Sequence, residues 1–251
     1  MLLGTLAVAP AAALLMFVYL RDHYEPEPKR LVAYVFLVGA LGILPAIALE
    51  SALTALRPGA GLLYEAFLVA AVVEEGLKWL AVRLSAYGKR QFNEPMDGIV
   101  YAVAASLGFA TVENIFYVSA GGLGTGLTRA LLAVPGHAFF GVVMGYHLGL
   151  AKFADRPGQR RQQMFLSLAL PVLLHGAYDA LLLSGIPWVM WLVAPFVAAL
   201  WLAALREIRL AEAGSPFRPP HWRFHGLFSR WQPRLVRPDA QHSLPSPSDE
   251  A

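Results

Sequence analysis

The sequence predicts an all-α protein, a polytopic membrane helix bundle of about seven transmembrane helices. Three observations predict it. Of the 251 residues, 57% are hydrophobic and only 15% charged, where a soluble domain carries about 25% charged residues; mean hydropathy is +0.52. Apolar stretches recur along the chain, each long enough to cross a bilayer at about 1.5 Å rise per residue. Finally, four successive stretches carry ionisable side chains: Glu74, Glu75 and Lys78, then Glu113, then His137, then His175 with Asp179. A charge at mid-bilayer costs at least about 2.5 kcal/mol, so such a series marks a polar site built inside the membrane.

The expected spans are 2–20, 31–56, 60–83, 96–119, 129–151, 163–184 and 187–208. The first begins MLLGTLAVAP, lacks a basic leader and is followed by Arg21 and Asp22, which favours a retained span over a signal peptide. The fourth and fifth leave residues 120–128 between them as a loop, and the fifth is interrupted by Pro135-Gly136. Residues 1–210 are expected to form one transmembrane domain. Residues 211–251 form a basic, aromatic and Pro-rich cytoplasmic tail, read either as disordered or as a partner for anionic lipid headgroups. Its few arginines do not argue for nucleic acid. No internal repeat stands out.

The loops orient the bundle. Arg21, Lys29 and Arg30, then Arg83, Lys89 and Arg90, then Lys152, Arg156, Arg160 and Arg161 fall on one side, against Arg57 and Arg129 on the other. The positive-inside rule puts the N-terminus outside a plasma membrane and the C-terminus in the cytoplasm.

The motifs carry the chemistry. In Glu74-Glu75-x-x-Lys78, the lysine lies one turn from both acids, able to neutralise one and leave the other for a metal or a water. The bland alternative is a salt-bridge cluster that fixes packing, but it leaves one buried acid uncompensated. Gly108-x-Ala110 allows close helix approach, and Glu113-Asn114 adds a carboxylate and an amide; Asn114 could equally bond between helices. His137 follows the irregular Pro135-Gly136 backbone, whereas His147 reads as structural. His175 and Asp179 share a helix face, so the carboxylate can orient the imidazole of a metal ligand, bind metal itself or bond the substrate, the bland alternative being a His–Asp pair that holds two helices together.

The chain has no cysteine, so any metal must be held by His, Glu, Asp or Asn. Glu113, His137 and His175 are the expected ligands, at overlapping depths on three successive spans. Zinc suits such donors and keeps one position for water in catalytic sites. One of Glu74 and Glu75 is then the general base, with Asn114 and Asp179 beside it. Glu75 is favoured as base, because Glu74 at i,i+4 makes the better ion pair with Lys78. Other intramembrane chemistries fail on motif: HExxH and GxSG are absent, and Tyr178-Asp179 has no GxGD partner.

Taken together, Glu74-Glu75-x-x-Lys78, Phe109-x-x-x-Glu113-Asn114, His137 in PGHAFFG, His175-x-x-x-Asp179 and the run Asp22-His-Tyr-Glu25-Pro26-Glu27-Pro28 resemble the PrsW-type intramembrane metalloproteases, over about residues 15–185. CAAX prenyl endopeptidases of the wider clan use FxxxH and HxxxN, where this chain has Glu113 and Asp179. The resemblance implies a divalent-metal, typically zinc, endopeptidase. Such an enzyme cleaves a membrane-anchored protein substrate, typically an anti-sigma factor, in regulated proteolysis on the extracytoplasmic side. The competing readings are a proton-coupled transporter, opposed by the odd span count, and a non-catalytic membrane scaffold.

Overall fold

The structure is a computed structural model and describes residues 2–219; most of the expected tail lies outside the described residues. Among those residues the secondary structure is helical throughout. Helix α1 covers Leu2–Tyr19, α2 Lys29–Leu41 and α3 Ile43–Leu56; a π-helical stretch, Tyr64–Ala71, runs directly into α4, Val72–Ser85. Then come α5 (Pro95–Leu131), α6 (Ala133–Lys152), α7 (Pro157–Leu183), the short α8 (Pro187–Met190) and α9 (Val193–Ala213). The last helix runs past residue 210, where the tail was expected to begin.

Several boundaries differ from the expected spans, each for a local reason. The 31–56 span is two helices meeting at Gly42; Pro45 removes the donor that would bond Leu41 one turn back. The stretch 120–128 is not a loop. Helix continues on both sides of Gly122, which alone takes a left-handed φ of 70° and reverses the chain. The returning piece packs against what precedes it, since a side chain at Gly126 would touch Val118 and Leu6. Pro135 does not interrupt a helix either. It lies in the first turn of α6, where backbone N–H groups have no intrahelical partner anyway.

Helix α5 is the axis of the molecule. Nearly every residue from Pro95 to Thr111 is buried. Its glycines explain how. A Cβ on Gly98 or Gly145 would strike the other's carbonyl, and one on Gly108 would strike the Phe36 carbonyl. Helices α5 and α6, and α5 and α2, therefore run antiparallel with their backbones in contact, the small-residue packing that stabilises helix pairs in lipid. The outer surface is apolar: Leu37, Leu84, Phe165 and Leu202 are exposed, and Trp188 and Trp191 project between α7 and α9, as aromatic residues do at membrane interfaces.

By length and apolarity four segments can cross a membrane: Lys29–Leu56, Pro95–Lys152, Pro157–Leu183 and Pro187–Ala213, with a shorter apolar helix at Leu3–Tyr19. The 58-residue segment doubles back on itself as α5 and α6. The stretch Tyr64–Ser85 falls outside this set because it carries Glu65, Glu74, Glu75, Lys78 and Arg83. The protein is thus a helical, multi-pass membrane bundle, and the count of seven is not reproduced by these criteria.

The basic loops gather at one end. There Lys152 Nζ donates to the carbonyl oxygens of Tyr87 and Lys89, and the turn after α1 meets the start of α5 through Tyr101 and Glu27. Arg129, assigned to the opposite loops, is not a loop residue at all. It lies within the returning piece of α5 and points into the bundle.

Candidate active site

The centre of the site is an ammonium group. Lys78 is fully buried, and its Nζ lies 2.9 Å from Glu74 Oε2, 2.8 Å from Glu75 Oε1 and 3.0 Å from His137 Nδ1. The ring of Phe109 lies against the same ammonium, 4.4 Å from it. Helical spacing on α4 accounts for the two carboxylates; only the tertiary fold brings the imidazole of α6 to them. Lys78 therefore bridges both acids rather than neutralising one of them.

The two imidazoles meet edge to face, with ring centroids 5.5 Å apart. His175 Nδ1 lies 2.9 Å from Glu75 Oε1 and its Nε2 3.4 Å from Asp179 Oδ2. Phe140 stacks on the ring at 5.1 Å, fixing its plane. Gly176 lets α7 approach the π-helical stretch, because a Cβ there would run into the ring of Phe67. That stretch immediately precedes the paired acids; π turns are frequent at functional sites.

His137 Nε2 lies 3.0 Å from Glu113 Oε2, and the same oxygen accepts a 2.7 Å hydrogen bond from Arg129. Lys78 thus lies on the Nδ1 side and Glu113 on the Nε2 side of this imidazole. Arg129 Nε also donates to Asn114 Oδ1 at 2.9 Å, while Asn114 Nδ2 donates to the carbonyls of Leu6 and Ala7. Asn114 is fully buried. It ties α1 to α5 and holds Arg129, the interhelical bonding noted as one alternative from the sequence.

A cavity of about 570 Å³ opens beside these groups; Glu74, Glu113, Arg129, His137, His175 and Asp179 all contribute to its wall, with Glu50 and Tyr178. It lies toward the end of α7 and the start of α6, away from the basic loops. Among the described residues, Glu75 and Asn114 do not line it. Glu75 is fully buried, and its Oε2 has no hydrogen-bond partner.

The expected residues thus converge, with two redistributions. In this site the possible metal donors of Glu74, Glu75 and His137 lie within 4.8 Å of one another, yet Lys78 already supplies a cation there. Glu113, His137 and His175, expected as ligands, share the cavity wall. Imidazole and carboxylate are donor types that a divalent metal of the zinc class takes, though these three are not one of the groups whose donor atoms all lie within 4.8 Å of one another. His147 stands apart, bonded to Gln163. Arg129 and Glu50 were missed: Arg129 is sixteen positions from Glu113, and only the reversal at Gly122 joins them.

Residues 27–204 match the profile described as PrsW family intramembrane metalloprotease. The chain is 46% identical to Protease PrsW of Geobacillus kaustophilus over 205 residues, covering 82% of this chain and 90% of that one. It is 40% identical to Protease PrsW of Bacillus subtilis over 82% of this chain and 94% of that one. For Protease PrsW of Clostridioides difficile the identity is 34%, over 81% and 88%. No solved structure gives a significant match. With paired acids, two imidazoles and a cavity buried in a helical membrane bundle, and with this similarity running through most of its length, the chain belongs to the PrsW family of intramembrane proteases.

Proposed function

We propose that this membrane protease is a metal-dependent endopeptidase that hydrolyses a peptide bond of a membrane-anchored protein, an anti-sigma factor being the substrate class the family resemblance suggests. The observation that carries the reading is the cavity wall, where an acid, two imidazoles and a second acid meet inside the bundle. Glu113, His137 and His175 would hold the metal. When bound, such an ion polarises the scissile carbonyl and makes water nucleophilic near neutral pH.

The chain's own residues supply the remaining functions. Glu74 faces the cavity and takes the proton of the attacking water. Its neighbour Glu75 is a positioning residue: one carboxylate oxygen holds both Lys78 and His175. The ion-pair argument that favoured Glu75 as base does not separate the two acids, because Lys78 contacts both at nearly equal distance. Asp179 orients His175 from the other side, and Asn114 acts through Arg129, which holds the Glu113 carboxylate.

Purified full-length protein, prepared without chelator, is expected to contain one transition metal per chain. In liposomes it should cleave a single-span anti-sigma factor, and His175→Ala should lose most of the metal and the cleavage while still inserting. Wild-type protein free of transition metal, yet active, would remove the metal from this reading. Metal-loaded protein inactive on every single-span substrate tried would remove the proteolysis.

The orientation proposed from the loops puts the N-terminus outside a plasma membrane and the C-terminus in the cytoplasm, with the cavity in the outer half. Moving Arg129 into the bundle leaves Arg57 as the basic residue of the opposite loops, which sharpens the bias. Reporters placed after Glu25, Gly88, Arg156 and Ala240 should all read cytoplasm. An extracytoplasmic signal at Ala240 would overturn this topology.

A further inference from the structure

A second cluster of acids lies at the end of the bundle where the basic loops gather, away from the cavity. Asp22 and Glu27 come from the turn between α1 and α2, Glu94 caps α5, and Asp97 sits in its first turn. All four are at most 2% exposed. The donor atoms of Asp22, Glu94 and Asp97 lie within 4.8 Å of one another, as do those of Glu25, Glu27 and Asp97. Among the described residues no lysine or histidine makes an ion pair with the four. Lys152 donates to two backbone carbonyls and lies over the ring of Phe92, and it interacts with Asp97 and Glu27 only through space.

The hydrogen bonding is divided in a telling way. One oxygen of each acid is used by the protein. Asp97 Oδ2 accepts from the backbone N–H groups of Asn93 and Glu94, and the Glu94 carboxylate accepts from the backbone of Asp97 in return. Asp22 Oδ2 accepts from the Glu27 N–H, and Glu27 Oε2 from the Tyr101 hydroxyl. The other oxygen of each, Asp22 Oδ1, Glu27 Oε1, Glu94 Oε2 and Asp97 Oδ1, is buried without a hydrogen-bond partner. Asp22 also approaches Glu94, and Glu27 approaches Asp97, side chain to side chain, and Ser215 reaches Glu94, so the remaining oxygens face one another within the cluster. Burial pushes the carboxyl of Asp22 up to about 6, Glu27 to about 7 and Glu94 to about 8, the sign of acids lacking a counter-charge. Four buried carboxylates without a cation are costly, and a bound ion removes that cost.

We propose that Asp22, Glu27, Glu94 and Asp97 form a second cation site that takes a hard divalent ion of the magnesium, calcium or manganese class and pins the α1–α2 turn to the start of α5. The donors are all oxygen, which selects hard ions over zinc. Half-buried Glu25, beside Glu27 and Asp97, completes the shell on the solvent side. The site is structural and independent of the protease reading.

The test uses full-length protein in detergent, stripped with chelator and then given magnesium, calcium or manganese alone. At least one ion should raise the unfolding temperature of wild type saturably by several degrees, and should do the same for His175→Ala, which separates this site from the cavity. In Asp22→Asn/Glu94→Gln the rise should vanish. The amides mimic protonated carboxyls, so this variant should fold; the milder Glu27→Gln serves as a second variant and should weaken the effect. Manganese paramagnetic resonance on His175→Ala should count one bound ion per chain, with affinity lower by at least about tenfold in the double variant. Absence of any thermal rise together with no bound manganese would mean that the acids share protons instead. An unchanged rise in the double variant would place the ion elsewhere. Either result overturns the proposal.

Discussion

Glu74→Gln is expected to abolish cleavage of a membrane-anchored substrate while the protein remains folded. Loss of a general base costs about 10²–10⁴ in rate, and the amide keeps the size of the side chain but accepts no proton at neutral pH. The fold should survive because Lys78 retains Glu75 at 2.8 Å and Nδ1 of His137 at 3.0 Å. Glu75→Gln should behave differently. It removes the charge that holds both Lys78 and His175 in a fully buried place, and breaking a buried pair costs about 3–5 kcal/mol. The expected result is a lower unfolding temperature in detergent, with activity lost along with the packing. Unfolding and proteolysis measured on both variants separate the roles. A stable, metal-loaded, inactive Glu75→Gln beside a destabilised Glu74→Gln would exchange the two assignments. Wild-type cleavage by both would remove the pair from the chemistry.

Gly145→Leu is expected to be the most damaging substitution far from the cavity. A Cβ at that position would overlap the carbonyl of Gly98, a backbone atom that cannot rotate aside. Overpacking costs about 1–3 kcal/mol where side chains can adjust; here helix α5 or α6 must move bodily. Since α5 carries Glu113, and α6 carries His137, a displacement at Gly145 also pulls the cavity wall apart. Thermal unfolding and protease sensitivity in membranes should report loss of the compact state, with activity gone. Gly4→Ala is the control, because nothing lies within 4 Å of its added Cβ. A helical glycine replaced by alanine gains about 1 kcal/mol in helix propensity. Equal tolerance of both changes would show that the α5–α6 contact does not hold the bundle together.

Much of the site was legible because its signals are local. Glu74, Glu75 and Lys78 share a helix face by spacing alone, as do His175 and Asp179, and Gly108 marked the close approach to α2 that the structure contains. Other features were misread for an equally local reason. Residues 120–128 fall between two expected spans, yet they are helical on both sides of Gly122, which alone breaks the helix. Pro135 looks like an interruption until the helix is seen to start at Ala133.

Composition and periodicity by themselves determined that this chain is a helical membrane protein with acids and imidazoles inside it, because each of those facts follows from residues a few positions apart and the cost of charge in lipid. Only the tertiary structure decided who meets whom. Lys78 reaches His137, Glu75 reaches His175, Arg129 reaches Glu113 and Asn114, and Glu74 rather than Glu75 faces the cavity. Those partnerships depend on where backbones touch at glycine and where Gly122 turns the chain back. Neither is periodic, and neither is written in the spacing of the residues that react.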